Sequence, residues 1–174
     1  MYNSIVAAVD GSERGFHAFA HALSQAEKSG VRLTVVHVLL RGVGHDGLFP
    51  IIDQLKLDDA KRKDLEQILT PPLTATGAGG VEAPIAIVPD EALRMVGERI
   101  IERCQTLAKG KGITFESKIV DGDPAKTVVE LAREKNADLI VVGSRGLGRV
   151  KGLLLGSVSQ KIVQAASCAC LVVK

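Results

Sequence analysis

The 174-residue chain has no tryptophan, one tyrosine (Tyr2) and four phenylalanines. Proteins that bind single strands stack bases on aromatic platforms, so this scarcity argues against that role. An excess of one charge is also missing: Lys+Arg 22 against Asp+Glu 20 leaves a net charge of +2. A duplex-binding surface wants a concentrated basic footprint, so no nucleic-acid partner is expected. Three cysteines, an odd number, do not make a disulfide framework. No apolar run approaches the ~20 residues of a membrane helix, so no membrane partner is expected. Met1–Ser4 has no basic stretch and runs straight into Ile5-Val6-Ala7-Ala8-Val9, which does not read as a signal peptide. The expectation is a soluble, cytoplasmic protein. It forms a single domain over 1–174, a size that buries roughly 70% of the unfolded surface without a staple.

What is present is a set of short apolar runs rich in β-branched residues. Ile5–Val9, Leu33–Leu40, Leu139–Val142 and Cys170–Val173 are nearly continuous, as strands buried on both faces must be. Phe115–Val120 alternates more and suits a less covered place. Between the runs lie helical patterns. Phe16, Phe19, Leu23 and Ala26 recur at helical spacing after Ser12 and stop at Gly30. Leu93, Val96, Ile100, Cys104 and Leu107 share a face between Asp90 and Gly110. Asp123-Pro124 reads as an N-cap and first helical position, and Ser157-x-x-Gln160 as a capping box. The alternation predicts an α/β fold, a doubly wound five-stranded parallel sheet. Such sheets bind ligands beyond the carboxyl ends of their strands, which directs attention to Asp10, Val38, Asp121 and Gly143.

One long variable segment, 41–89, is inserted between the second strand and the second long helix. Ile51–Leu69 reads as a single charged helix. Gly42, Gly44 and Gly47 on one side and the Thr76–Gly80 tract on the other read as hinges of a flap. Gly42-x-Gly44-x-x-Gly47 imitates a dinucleotide fingerprint. Pro50 and the lack of a strand at the required distance make it a flexible turn instead.

A second glycine pattern is better placed. Gly143-Ser144-Arg145-Gly146 follows the fourth strand, and Gly156-Ser157 opens the last helix, giving Gly-x2-Gly-x9-Gly-Ser. Glycines let a backbone approach a phosphate, and a helix mouth offers unpaired N–H groups and partial positive charge. Ser157 adds a hydroxyl, Ser159 sits further along the same turn, and Arg145 can neutralise phosphate charge. No Gly-Lys-[Ser/Thr] occurs, so this is not a Walker loop. On spacing alone, a glycine turn followed by an ordinary helix start explains the pattern equally well.

Val9-Asp10-Gly11-Ser12, Val36-His37-Val38, Gly122-Asp123-Pro124, Ala137 to Gly146 and Gly156-Ser157-Val158-Ser159 together resemble the universal stress protein family, in its ATP-binding branch. The resemblance spans nearly the whole chain except the inserted segment. It implies a Rossmann-like, adenine nucleotide alpha hydrolase-like sheet with strand order 3-2-1-4-5. It implies ATP, with Mg or Mn bound through the phosphates, at the switch point between the first and fourth strands. A homodimer is implied as well, through the C-terminal strand 169–173. By the same resemblance Asp10 faces the nucleoside, with Ala8 and Val9 lining that wall, and Val38 packs the adenine. Val142, Gly143, Arg145 and Gly146 form the near side of the phosphate and ribose pocket. Gly156, Ser157, Val158 and Ser159 hold the phosphates.

Other residues carry plainer readings. His17 and His21 have metal-ligand spacing but no visible third ligand. His37, inside a strand, reads as a packed core histidine, and Cys168-x-Cys170 as no redox motif. Asp121 and Asp123 read as turn and cap, and Asp58–Glu66 as a solvated helix face. No catalytic residue is assigned. Three functions stay open: an ATP-dependent regulatory or stress-response protein, a slow ATPase or nucleotidyl-type enzyme using the same pocket, and an interaction module with an empty pocket.

Overall fold

The computed structural model describes residues 2–69, 88–147 and 155–174. Strands β1 (Ser4–Ala8), β2 (Arg32–Val38), β3 (Glu116–Val120), β4 (Leu139–Gly143) and β5 (Ala169–Val173) form one sheet in the order β3-β2-β1-β4-β5. Every neighbouring pair is parallel. The expected fold and strand order are therefore found. Between β1 and β2 runs α1 (Glu13–Ser29). α4 (Asp90–Lys109) leads into β3, α5 (Pro124–Glu134) joins β3 to β4, and α6 (Ser157–Ala165) precedes β5.

Side-chain alternation along the central strands feeds two cores. Ile5, Ala7, Leu33 and Val35 pack with α1 and α4 on one face. Val6, Val36, Ile140 and Val142 pack with α5 and α6 on the other. β3 is the less covered strand its alternation indicates, lying at one edge with Glu116 and Ser117 exposed. His37 is fully buried, as expected of a core histidine.

The inserted segment departs from its expected form. Two helices stand where one was anticipated: α2 (His45–Leu55) and α3 (Asp59–Leu69). Lys56 ends α2 in a left-handed conformation (φ 54°). The Asp58 carboxylate then accepts from Lys61 N at 2.9 Å, starting a new helix. Nor is Gly42–Gly47 a plain turn. Gly44 is the N-cap of α2, and Pro50 is carried inside that helix. The solvated face of α3 is present, with Arg62 joined to Asp53 and Glu66. Its opposite face and α2 enter the first core through Leu48, Ile51, Ile52, Leu65 and Leu69. Swinging these helices out as a flap would expose all five, at roughly 1.5–3 kcal/mol apiece. The Thr76–Gly80 tract lies outside the described residues.

Candidate functional site

Beyond the carboxyl ends of β1, β2 and β4 lies a cavity of about 360 Å³, within the range of small-molecule sites. All twelve residues expected at the site line it: Ala8, Val9, Asp10, Val38, Val142, Gly143, Arg145, Gly146, Gly156, Ser157, Val158 and Ser159. The walls divide by chemistry. Val36, Val38, Leu40, Val43, Pro124 and Val128 give an apolar end, while Asp10, Arg145 and the start of α6 give a polar one.

Asp10 is held by its own turn. Its Oδ1 accepts from Ser12 N at 3.0 Å and from Ser12 Oγ at 2.6 Å. Ser12 Oγ also accepts from Gly15 N at 3.1 Å, capping α1. Between Asp10 and Ser12, Gly11 takes φ 84°, where an L side chain is strained and a Cβ would strike Ile51 and Ile100. Two more glycines make room for the carboxylate. A Cβ at Gly15 would fall 2.5 Å from Asp10 Oδ1, and one at Gly146 would collide with Oδ2. Gly146 thus makes way for Asp10. A Cβ at Gly143 would lie 3.0 Å from the backbone of Arg14, so that glycine admits α1.

Gly156 is different. It has an ordinary φ of −75°, and a Cβ there would come no closer than 3.4 Å to Arg145 Cα. Among the described residues nothing demands a glycine at this position. Gly156, not Ser157, is the N-cap of α6, so the expected capping box is absent. Ser157 is the first helical residue, and among the described residues no side chain caps this helix. By contrast α1 and α5 are capped by Ser12 and Asp123. The helix mouth on the cavity therefore keeps N–H groups for another acceptor. Ser159 contributes its backbone alone, because its hydroxyl is engaged with Ser144 O at 3.0 Å and Gly156 O at 2.9 Å.

At the opposite rim the structure brings in residues that the motifs did not indicate. Arg41 lines the cavity and carries ion pairs to Asp90 and Asp121. Hydrogen bonds from its guanidinium, ahead of every other cause, hold both carboxyls below the usual carboxylate range. Asp121, flagged as a strand-end residue, serves this cluster and does not line the cavity. The only available signal for Arg41 was its place just past the carboxyl end of β2. His17 and His21 are exposed on α1. Among the described residues there is no group of three or more metal-ligating side chains. Among them, too, no helix is long and apolar enough to cross a membrane.

The model of the universal stress protein family matches residues 1–174, and the chain belongs to that family. It is 31% identical over 174 residues to a universal stress protein of Thermus aquaticus, covering 100% of both chains. To the universal stress protein YxiE of Bacillus subtilis it is 28% identical over 176 residues, again covering 100% of both. Among solved structures, a universal stress protein in complex with cAMP is 26% identical. Its TM-score is 0.61, with 99% of this chain and 97% of that one covered.

Proposed function

We propose that the cavity binds an adenine nucleotide, and that the resident form is ATP with Mg²⁺ or Mn²⁺ bound through its phosphates. The protein then acts as a nucleotide-dependent regulatory or stress-response homodimer in the cytoplasm, with little or no turnover. The observation that carries this reading is the mouth of α6: on the cavity, without a side-chain cap among the described residues, and opened by a glycine that no contact with those residues requires. A phosphate beside the backbone supplies the missing reason for Gly156. The apolar end suits a base, and the cAMP complex of a relative supports the same class of ligand. The metal is placed on the phosphates because no cluster of metal ligands stands among the described residues. Low turnover fits the nearby acids: Asp10 has its Oδ1 engaged by Ser12, and Asp121, outside the cavity, is paired with Arg41. Phosphoryl transfer needs a positioned base or a water-orienting group.

Isothermal titration of AMP and ATP against wild type and Gly156→Val tests the reading. Wild type should bind both, and the variant should lose at least tenfold in affinity with its thermal midpoint kept. Gly156→Ala, which the surrounding contacts accommodate, is the second variant should valine disturb the loop. Ser157→Ala should cost no cap stability, because Ser157 is not the cap. It should still lose affinity worth about 1 kcal/mol as a phosphate donor. No binding by folded wild type would overturn the reading. Steady-state ATP hydrolysis near about 10 per second would make the protein an enzyme instead.

A further inference from the structure

Arg41 has four of its five N–H donors engaged by carboxylates. Nε donates to Asp121 Oδ1 at 2.6 Å and Nη2 to Asp121 Oδ2 at 2.7 Å. Nη1 donates to Asp90 Oδ1 at 2.8 Å and Nη2 to Asp90 Oδ2 at 2.9 Å. A guanidinium has five N–H donors lying in one plane, and two carboxylate forks occupy that plane from two sides. Neither carboxylate lines the cavity, whereas Arg41 does. Two of its hydrogen-bonding edges are thus turned to Asp90 and Asp121, and what it offers a ligand is the flat face and one remaining Nη1 N–H.

The cluster also has the wrong electrostatics for a phosphate. One guanidinium stands against two carboxylates, and Arg94 lies near enough to act on both. Negative charge matches positive, so an anion gains no net attraction here. The same cavity wall carries Leu40, Val43, Pro124 and Val128, all apolar. A planar cation held by two carboxylate forks beside apolar walls, with four of its five donors engaged, is a surface on which a flat heteroaromatic ring stacks.

We propose that Arg41, locked edge-on by Asp90 and Asp121, is the base-recognition residue of the site, its guanidinium face covering a purine lodged at the apolar end. This rests on the nucleotide reading above, with the base at the apolar end and the phosphate at the mouth of α6, and adds Arg41 as the residue that covers the base. Asp90 and Asp121 are positioning residues, since they act only through the arginine. The two carboxylates come from the start of α4 and the end of β3, so base recognition is tied to the closure of the inserted segment at its neck.

The test separates the two ends of the ligand. AMP and ribose 5-phosphate, which lacks the base, are titrated against wild type, Arg41→Ala and Arg41→Lys, with thermal midpoints measured alongside. Arg41→Ala should weaken AMP about tenfold or more, the scale of a lost base stack, and leave ribose 5-phosphate unchanged. Arg41→Lys keeps the charge but not the plane, and should not rescue AMP. The double variant Asp90→Asn, Asp121→Asn should fall between wild type and Arg41→Ala. Equal losses for both ligands, or AMP binding indifferent to Arg41, would overturn the proposal while leaving the nucleotide reading standing. Failure of wild type to bind AMP would remove both.

Discussion

His37 concentrates the electrostatics of the core in one ring. Its Nδ1 donates to Val9 O at 2.8 Å, one residue before Asp10. Its Nε2 is buried with no hydrogen-bond partner among the described residues, and a Cβ at Gly97 would come within 2.8 Å of the ring. Burial lowers its pKa, against smaller raising effects from the Val9 bond and the Asp10 charge. The folded protein therefore holds this ring neutral. The unfolded chain binds a proton below the ordinary imidazole value of about 6.5, and the folded one does not. Stability is full above about pH 6.5 and falls as the pH drops beneath it, by at most about 1.4 kcal/mol per pH unit. His37→Asn can still offer Val9 O a donor and does not titrate. Denaturant midpoints at about pH 7.5 and about pH 5.5 should fall more for wild type than for His37→Asn. Equal falls would show that His37 carries none of the pH dependence. The sequence shows a histidine in an apolar strand, and hence a packed one. The glycine that admits it, Gly97, lies on α4, a contact that only the fold creates.

Legibility changes from element to element for the same kind of reason. β1, β2 and β4 were plain because strands buried on both faces need unbroken runs of apolar side chains. The start of α6 was misplaced by one residue because glycine is also a competent N-cap, and Gly156 precedes Ser157. The break between α2 and α3 was hidden because Lys56 holds a left-handed conformation that its residue type does not announce. The cavity's polar end was readable from local motifs. Its Arg41 end was not, since that cluster joins three distant segments. Gly143 and Gly146 line the cavity as expected, and the further reason for glycine at each was hidden because the atoms they make way for belong to Arg14 and Asp10. The inserted helices bear a direct test. Ile51 is 1% exposed and sits over Gly11, the turn that aims Asp10. Ile51→Ala should cost about 2–5 kcal/mol, as large-to-small changes in a shared core do. An unchanged denaturation midpoint would mean that α2 lies on the domain without belonging to its core.

The two edges of the sheet are defended unequally, and this bears on assembly. β3 carries Glu116 and Lys118, tied to Lys135 at 2.8 Å and to Glu134 at 2.9 Å. β5 is Ala-Cys-Leu-Val-Val, with no charge along its length. Beside it α6 leaves Val163 45% exposed. An apolar, uncharged edge tends to recruit another strand, and a second copy pairing about a two-fold axis closes it for both. We expect a homodimer through 169–173. The hydrogen bonds at the two ends of β5 say which residues would make it. Ala169 N donates to Asp138 O, and Val173 O accepts from Ser144 N. Residues 169, 171 and 173 thus turn their backbone groups inward to β4, and Cys170 and Val172 turn theirs outward. Proline at 171 would break the sheet itself, whereas proline at 172 removes an outward N–H, as edge strands tolerate. Val172→Pro should therefore sediment as a folded monomer where wild type is a dimer, and Leu171→Pro should lose stability outright. A wild type that is monomeric at micromolar concentration would refute the interface. A Val172→Pro protein that stays dimeric would move the interface away from the β5 backbone, toward the exposed face of α6 around Val163.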